Sequence, residues 1–329
     1  MAEPVKLLTD VERWPIAGSF TIARGSKTEA VVVTATLDDG QHTGRGECVP
    51  YARYGESVES VRGQIEDMAA RLGDGLSRDG LRNAMPAGAA RNALDCAMWD
   101  LECKRAGKRC WELAGQPEPK DIVTAYTLSL GTPETMLEAA RKASARPLLK
   151  VKLGGDGDME RIAAVRQGAP NSRLIIDANE GWSEGNLASN LAACARAGVE
   201  LIEQPMPAED DEALRDVRSD ILICADESAH DLSTLMELEG KYTAINVKID
   251  KTGGLTEALD LAHAAKSKGM VVMVGCMLAT SLAMAPALVV AASADYVDLD
   301  GPLLLARDRE PGLTFDGSRI LTPPAELWG

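Results

Sequence analysis

From Ile122 onward the chain alternates short apolar strands with longer amphipathic stretches, and the alternation recurs eight times. The strand-like segments are 122–130, 148–152, 174–177, 199–203, 221–226, 244–248, 271–275 and 296–298. Stretches with helical periodicity, such as 134–145 and 257–268, stand between them. Repeated strand-then-helix units imply a parallel sheet. Eight of them close naturally into a (β/α)₈ barrel, an α/β fold of the TIM-barrel type, with its active site at the C-terminal ends of the strands. The competing architecture is an open doubly wound sheet. It requires a phosphate fingerprint after its first strand, and Leu130-Gly131-Thr132-Pro133 is not one. Gly154-Gly155-Asp156-Gly157 lacks the GxGxxG spacing and reads as a plain loop.

The barrel pattern leaves both ends of the chain over. Residues 1 to about 50 alternate like strands, with a β-branched run at 30–37, a turn at Asp38-Asp39-Gly40 and a further strand entering Gly44-Arg45-Gly46-Glu47. Two helical stretches follow, at 57–72 and 88–105, and in the second Ala90, Ala93, Leu94, Ala97, Met98 and Leu101 recur at helical spacing. The expected organisation is an α+β domain over 1–120, the barrel over 121–300, and a segment 301–329 that returns to the first domain.

Composition narrows the class of partner. With 329 residues and 45% hydrophobic content the chain can bury a large core, but at 4% aromatics that core must be built from Ala, Leu, Val, Ile and Met. A net charge of -15 argues against nucleic acid, which needs clustered cation. The seven cysteines form no CxxC and cannot all pair, which reads as reduced thiols in the cytoplasm. The first fourteen residues contain no apolar core of signal-peptide length. The richest apolar run, 282–292, reads as broken by Pro286 and is too short to span a bilayer. A soluble protein without a membrane partner is expected, and a homo-oligomer is compatible with everything above.

Several barrel strands end on a charge. Asp177, Glu203 and Asp226 follow apolar runs and lie 26 and 23 residues apart, about one β/α unit each. One such acid reads most simply as a helix N-cap. Three at one rim repel one another, and a hard divalent cation resolves that repulsion. Lys150 and Lys152 end the second strand two residues apart and share a face. Lys248 ends the sixth strand, across the barrel. A lone strand-end lysine reads as a solvated cation, but these end apolar strands at the carboxylate rim. Burial and neighbouring cations are expected to lower a lysine's pKa and make it a usable base. The layout suits abstraction of a proton next to a carboxylate. That step builds a dianionic enediolate, whose charge a divalent cation offsets. One lysine on each face then permits 1,1-proton transfer, and the product is the epimer.

In their order, KVK at 150–152, DANE at 177–180, EQP at 203–205, ADES at 225–228 and NVKIDKTGG at 246–254 resemble the muconate-lactonizing-enzyme subgroup of the enolase superfamily. The resemblance runs along nearly the whole chain. It implies an N-terminal capping domain, one Mg²⁺ on Asp177, Glu203 and Asp226, and Lys152 and Lys248 as catalytic bases. Lys150 would help hold the substrate carboxylate and depress the pKa of Lys152. The mandelate-racemase-like branch ends its seventh strand with a His. Here that strand reads VVMVGCM, and His42, His230 and His263 all lie elsewhere. Within the subgroup, Asp298-Leu299-Asp300 resembles the dipeptide epimerases, whose DxD binds the substrate's α-ammonium. Ile22-Ala23-Arg24-Gly25-Ser26 looks like the L-Ala-D/L-Glu epimerases, where an Arg in the capping loop contacts the Glu side chain. By that resemblance Arg24 pairs with the substrate's γ-carboxylate. Thr127 and Cys276 fall where the family lines its substrate pocket, though both could equally be core packing. The resemblance therefore implies a small dipeptide substrate and a place in murein peptide recycling. The alternatives are an o-succinylbenzoate synthase or cycloisomerase of the same subgroup, and a non-catalytic barrel.

Overall fold

A computed structural model describes residues 5–329. The reading of the N-terminus as free of a signal peptide falls partly on residues 1–4, outside the described residues. Three antiparallel strands open the chain: β1 (Lys6–Ile22), β2 (Gly25–Asp38) and β3 (Thr43–Cys48). The helix Ala89–Ala106 packs across this sheet so closely that a Cβ on Gly44 would lie 2.2 Å from Ala97 O, and one on Gly46 2.0 Å from Ala93 O. That approach is why this strand reads Gly-Arg-Gly. The single helix expected over 57–72 is two, Val58–Glu66 and Ala69–Gly73, broken at Asp67 and Met68.

The strand expected over 122–130 also divides. Its first part, β4 (Ile122–Val123), leaves the barrel and is joined later in the chain by a C-terminal hairpin. Its second part is β5 (Tyr126–Leu128), the first barrel strand. Thr124 makes the corner, its hydroxyl accepting from Leu299 N. The barrel continues through β6 (Leu148–Lys152), β7 (Arg173–Asp177), β8 (Val199–Glu203), β9 (Leu222–Ala225), β10 (Ala244–Val247), β11 (Val271–Gly275) and β12 (Tyr296–Asp298), each parallel to its neighbour. Ala125 N donates to Val297 O at 2.8 Å, linking the first strand to the last. One residue from each of seven strands or their approaches (Ala125, Leu148, Ile175, Leu201, Cys224, Ala244 and Met273) packs into a buried layer inside the ring.

Three features depart from a regular repeat. The links from β8 to β9 and from β9 to β10 carry only short 3₁₀ turns, Ala208–Asp210, Glu212–Asp216 and Thr234–Met236. In the first of these links Pro205 and Pro207 disfavour a helix. In its place Asp211 accepts from Tyr242 Oη at 2.7 Å, Ser228 Oγ at 2.9 Å and Lys241 Nζ at 2.6 Å. Pro286 does not break its segment, because the helix Ser281–Ala291 runs through it. Every residue of that helix is buried, so packing on all sides outweighs the lost backbone bond. Lys248 does not end a strand but stands one residue beyond β10, at the start of the short helix Ile249–Thr252.

After β12 the chain runs back along the N-terminal sheet. Ala306 N donates to Pro15 O, the hairpin β13 (Phe315–Asp316) and β14 (Arg319–Ile320) pairs with β4, and Trp328 Nε1 donates to Cys96 O. Among the described residues no helix is long and apolar enough to cross a membrane.

Candidate active site

The three strand-end acids meet at the C-terminal rim. β6, β7 and β8 run in register, so that Lys152, Asp177 and Glu203 lie side by side, and Asp226 follows β9 directly. Asp177, Glu203 and Asp226 are buried and offer one oxygen each within 4.8 Å of one another. A compact, all-oxygen, anionic donor set of this kind fits a hard cation such as Mg²⁺.

The backbone that carries these acids is strained. Asn179, Glu180 and Gln204 have φ of 46°, 66° and 34°. Such conformations persist only where the surroundings over-determine them, and they cluster at functional sites. Gln204 shows how. Its Oε1 accepts from Asp226 N at 2.9 Å and Ser228 N at 3.1 Å, while its amide nitrogen donates to Met206 O, Ser228 Oγ and Tyr242 Oη. The residue after one acid thus fixes the backbone of the next.

Lysines face the acids from three sides. Lys152 Nζ lies 2.5 Å from Asp177 Oδ2, and Lys248 Nζ lies 2.6 Å from Asp226 Oδ2. Lys150 Nζ touches Glu203 Oε2 at 2.6 Å, Asp298 Oδ2 at 2.7 Å and Asp177 Oδ2 at 3.2 Å. β6 and β10 stand half the ring apart, so Lys152 and Lys248 approach the cluster from opposite sides. Both line one cavity of about 830 Å³ between the barrel mouth and the N-terminal sheet.

The electrostatics correct one expectation. At Lys150 and Lys248 burial pulls the pKa down, but the acids outweigh it. Asp298, Glu203 and Asp177 hold Lys150 well above its usual value, and Asp226 and Glu203 do the same for Lys248. The acids respond in turn. Burial opposes the ionisation of Asp177 and Asp226, yet Lys152 and Lys150 hold the first low and Lys248 and Lys251 the second. Glu203 is pushed up to about 7 by burial and by Asp177.

A second, smaller cavity brings together Thr127, Lys150, Lys152, Cys276, Asp298 and Asp300. Asp298 is held by Lys150, and among the described residues its Oδ1 has no hydrogen bond. Asp300 Oδ2 accepts from Thr127 N at 2.6 Å, and burial together with Asp298 pushes its pKa up to about 7. Cys276 lines both cavities, its thiol pushed up by burial and the two aspartates. Arg24, in the β1–β2 turn, reaches the mouth and donates to Glu227, Tyr51, Glu180 and Asn179 O.

Sequence reasoning passed over several neighbours. Asn246 Nδ2 donates to Glu203 Oε1 at 2.7 Å, and the alternation Asn246-Val247-Lys248 could have placed it on the face of Lys248. Lys251 Nζ binds Asp226 Oδ1 at 2.6 Å, Asp226 O at 2.5 Å and Asn246 O at 3.2 Å. Its place in the NVKIDKTGG motif and its spacing of three from Lys248, one helical turn, hint at this. Glu227, inside the ADES motif, and Tyr51 and Phe20 also reach the site, and the sequence assigns none of them a role.

Comparison with known proteins agrees with this geometry. Residues 5–115 match the model described as mandelate racemase / muconate lactonizing enzyme, N-terminal domain, and residues 135–320 match the one described as enolase C-terminal domain-like. An L-Ala-D/L-Glu epimerase of Escherichia coli is 47% identical, over 92% of this chain and 95% of its own. An N-acetyl-D-glutamate racemase of a Pseudoalteromonas species is 43% identical, over 91% and 95%. Among solved structures, an enolase family member from Agrobacterium tumefaciens, with homology to dipeptide epimerases and with bound sodium and L-Ala-L-Glu, superimposes with a TM-score of 0.97 at 53% identity over 99% and 100%. A dipeptide epimerase from Methylococcus capsulatus complexed with Mg and L-Arg-D-Lys does so with a TM-score of 0.87 at 28% identity over 97% of each chain.

Proposed function

Because the chain belongs to the mandelate racemase / muconate lactonizing enzyme family of the enolase superfamily, we propose that it is an isomerase that epimerises L-Ala-D-Glu and L-Ala-L-Glu at the glutamyl α-carbon. The observation that carries this reading is the placement of Lys152 and Lys248 on opposite sides of one buried acid triad, in one cavity. Asp177, Glu203 and Asp226 would hold Mg²⁺, which supplies charge to offset what develops on the substrate carboxylate as the α-proton leaves. Lys150 positions that carboxylate. With Asp226 and Glu203 turned to the cation and no longer holding Lys248 as an ammonium, one of Lys152 and Lys248 would be a neutral amine and take the proton from its face. The other, as an ammonium, delivers a proton to the opposite face, so the centre inverts and the two lysines exchange protonation states. Asp298 and Asp300 receive the α-ammonium, and Arg24 the γ-carboxylate. Thr127 and Cys276 line the pocket.

Incubation with L-Ala-D-Glu in D₂O and Mg²⁺ tests this. Deuterium should enter the glutamyl α-position and the L,L epimer should accumulate. Neither signal appearing would sink the proposal. We place the substrate among murein-derived dipeptides and the enzyme in the cytoplasm, in keeping with seven unpaired cysteines, and with a net charge of -15 that disfavours nucleic acid.

One observation favours a second substrate. Asp298 is engaged by Lys150 through Oδ2 and Asp300 by Thr127 N, so among the described residues the ammonium site is partly partnered within the protein and Asp298 Oδ1 is the oxygen left for an ammonium. An N-acylated glutamate, as in the Pseudoalteromonas relative's name, brings no ammonium. The ratio of kcat/KM for L-Ala-D-Glu to that for N-acetyl-D-glutamate decides between them. Asp298→Asn should lower only the dipeptide value.

A further inference from the structure

Arg24 has no spare donors on its terminal nitrogens. Nη1 donates to Asn179 O at 3.2 Å and Glu180 Oε2 at 3.1 Å, and Nη2 donates to Tyr51 Oη at 3.0 Å and Glu227 Oε1 at 2.7 Å. A guanidinium carries four N–H groups on those two nitrogens and one on Nε. An incoming carboxylate that pairs with Arg24 in the two-pronged way must therefore displace a partner.

The two acids on Arg24 are not equally replaceable. Glu180 is anchored elsewhere, by Arg53 Nε at 3.0 Å, Arg53 Nη2 at 2.9 Å and Ala208 N at 3.0 Å. Glu227 is buried, yet among the described residues its Oε2 has no hydrogen bond and its side chain accepts from Arg24 alone. Glu227 also lines the large cavity beside Asp226, Lys248 and Arg24. It presents a carboxylate to the guanidinium from within the space the substrate enters.

We infer that Glu227 is an internal competitor for Arg24, and that the side-chain carboxylate of an acidic substrate exchanges with it on the guanidinium. This rests on the epimerase reading above and adds to it a residue that sets selectivity. A carboxylate replaces a carboxylate at little electrostatic cost. A neutral side chain of the same shape does not, and leaves the Arg24–Glu227 pair closed across the cavity. Glu227 thus offsets part of the attraction that Arg24 exerts on an acidic second residue and sets how strongly that residue is preferred.

The test compares L-Ala-L-Glu with its neutral isostere L-Ala-L-Gln, the first by KM and the second by KI as a competitive inhibitor. Glu227→Gln keeps the shape and removes the competing charge. KM for L-Ala-L-Glu should fall about tenfold, in the range of one charge-assisted hydrogen bond, while KI for L-Ala-L-Gln should change less than about twofold. Tyr51→Phe, remote from the acid triad, frees one Nη2 donor of Arg24 and should lower the same KM about threefold. Metal affinity is measured on each variant, because Glu227 adjoins Asp226. An unchanged or raised KM for L-Ala-L-Glu in both variants overturns the exchange, as does an equal shift for both peptides. Calorimetric binding of glutarate, a bare dicarboxylate, reads the exchange without turnover. It should tighten in Glu227→Gln and lose that gain when Arg24→Met is added. If the wild-type protein epimerises no dipeptide, the functional reading fails, and the glutarate measurement still decides the exchange.

Discussion

Lys251 separates the stability of the acid cluster from its chemistry, and Lys251→Met tests the separation. The substitution keeps an unbranched chain of similar length and removes the ammonium. Three buried acceptors lose their donor: Asp226 Oδ1, Asp226 O and Asn246 O. Removing one partner of a buried ion pair costs about 3–5 kcal/mol, because the other charge is left uncompensated. Asp226 keeps Lys248 on its second oxygen at 2.6 Å, which puts the expected loss near the lower end, about 3 kcal/mol. For a chain of this size that corresponds to a fall in apparent Tm of roughly 5 °C or more. A divalent cation on Asp226 supplies the missing charge. The fall should therefore shrink when thermal unfolding is repeated with saturating Mg²⁺, and the Mg²⁺-induced rise in Tm should be larger in the variant than in the wild type. A variant whose Tm is unchanged without metal, or lowered equally with and without it, would refute the role assigned to Lys251.

Lys152→Ala and Lys248→Ala should each lower epimerisation at least about 100-fold, since each removes the proton carrier for one face. Full two-way activity by NMR in either variant would end the two-base scheme. Glu203, pushed up to about 7 by burial and Asp177, holds a proton in acid that a cation must displace. Calorimetric Mg²⁺ affinity should therefore be steady above pH 7 and weaken by up to about tenfold per unit below it. Equal affinity at pH 6 and 8 would count against this. Asp250 is likewise raised to about 7, mainly by burial, against the bonds it accepts from Val49 N and Asn92 Nδ2. A raised carboxylate penalises the folded state increasingly as pH climbs from its unfolded pKa to its folded one. Asp250→Asn keeps an acceptor and removes the charge, so its gain in stability over wild type should be roughly 2–3 kcal/mol larger at pH 8 than at pH 5 in urea unfolding. A pH-independent difference would show that Asp250 is not the group responsible.

The barrel was legible because its signal is repetitive. Eight apolar runs at nearly constant spacing leave few alternatives, and an acid that ends three of them in succession needs no structure to be noticed. Legibility failed where a residue's role depends on something distant in sequence. The division of 122–130 into β4 and β5 is made by Ser318 and Leu299, which reach Thr124 from the far end of the chain. The helix through Pro286 survives because its surroundings bury it on every side, which no local rule weighs. Glu227 and Tyr51 matter only through Arg24, 203 and 27 residues away from it. The expectation of a lowered pKa failed at Lys150 and Lys248 for a related reason. The spacing placed cations next to cations, but the distances that decide the sign are those to acids on other strands.

Those distances also explain how the chain can fold around such a site at all. Burying three carboxylates together costs several kcal/mol per ion unless each is paired. Here Lys152 stands 2.5 Å from Asp177, Lys150 2.6 Å from Glu203, and Lys248 and Lys251 each 2.6 Å from Asp226. The two lysines expected to move protons are therefore among the counter-ions that stabilise the cluster. A dication on the three acids carries the charge of two such ammoniums. An apolar residue at 152 or 248 would remove a base and also leave an acid short of a partner. In the metal-free protein, Lys152→Met and Lys248→Met should then lower stability as well as activity, whereas a base with no structural duty would lower activity alone. Saturating Mg²⁺ should return the stability and leave the activity lost.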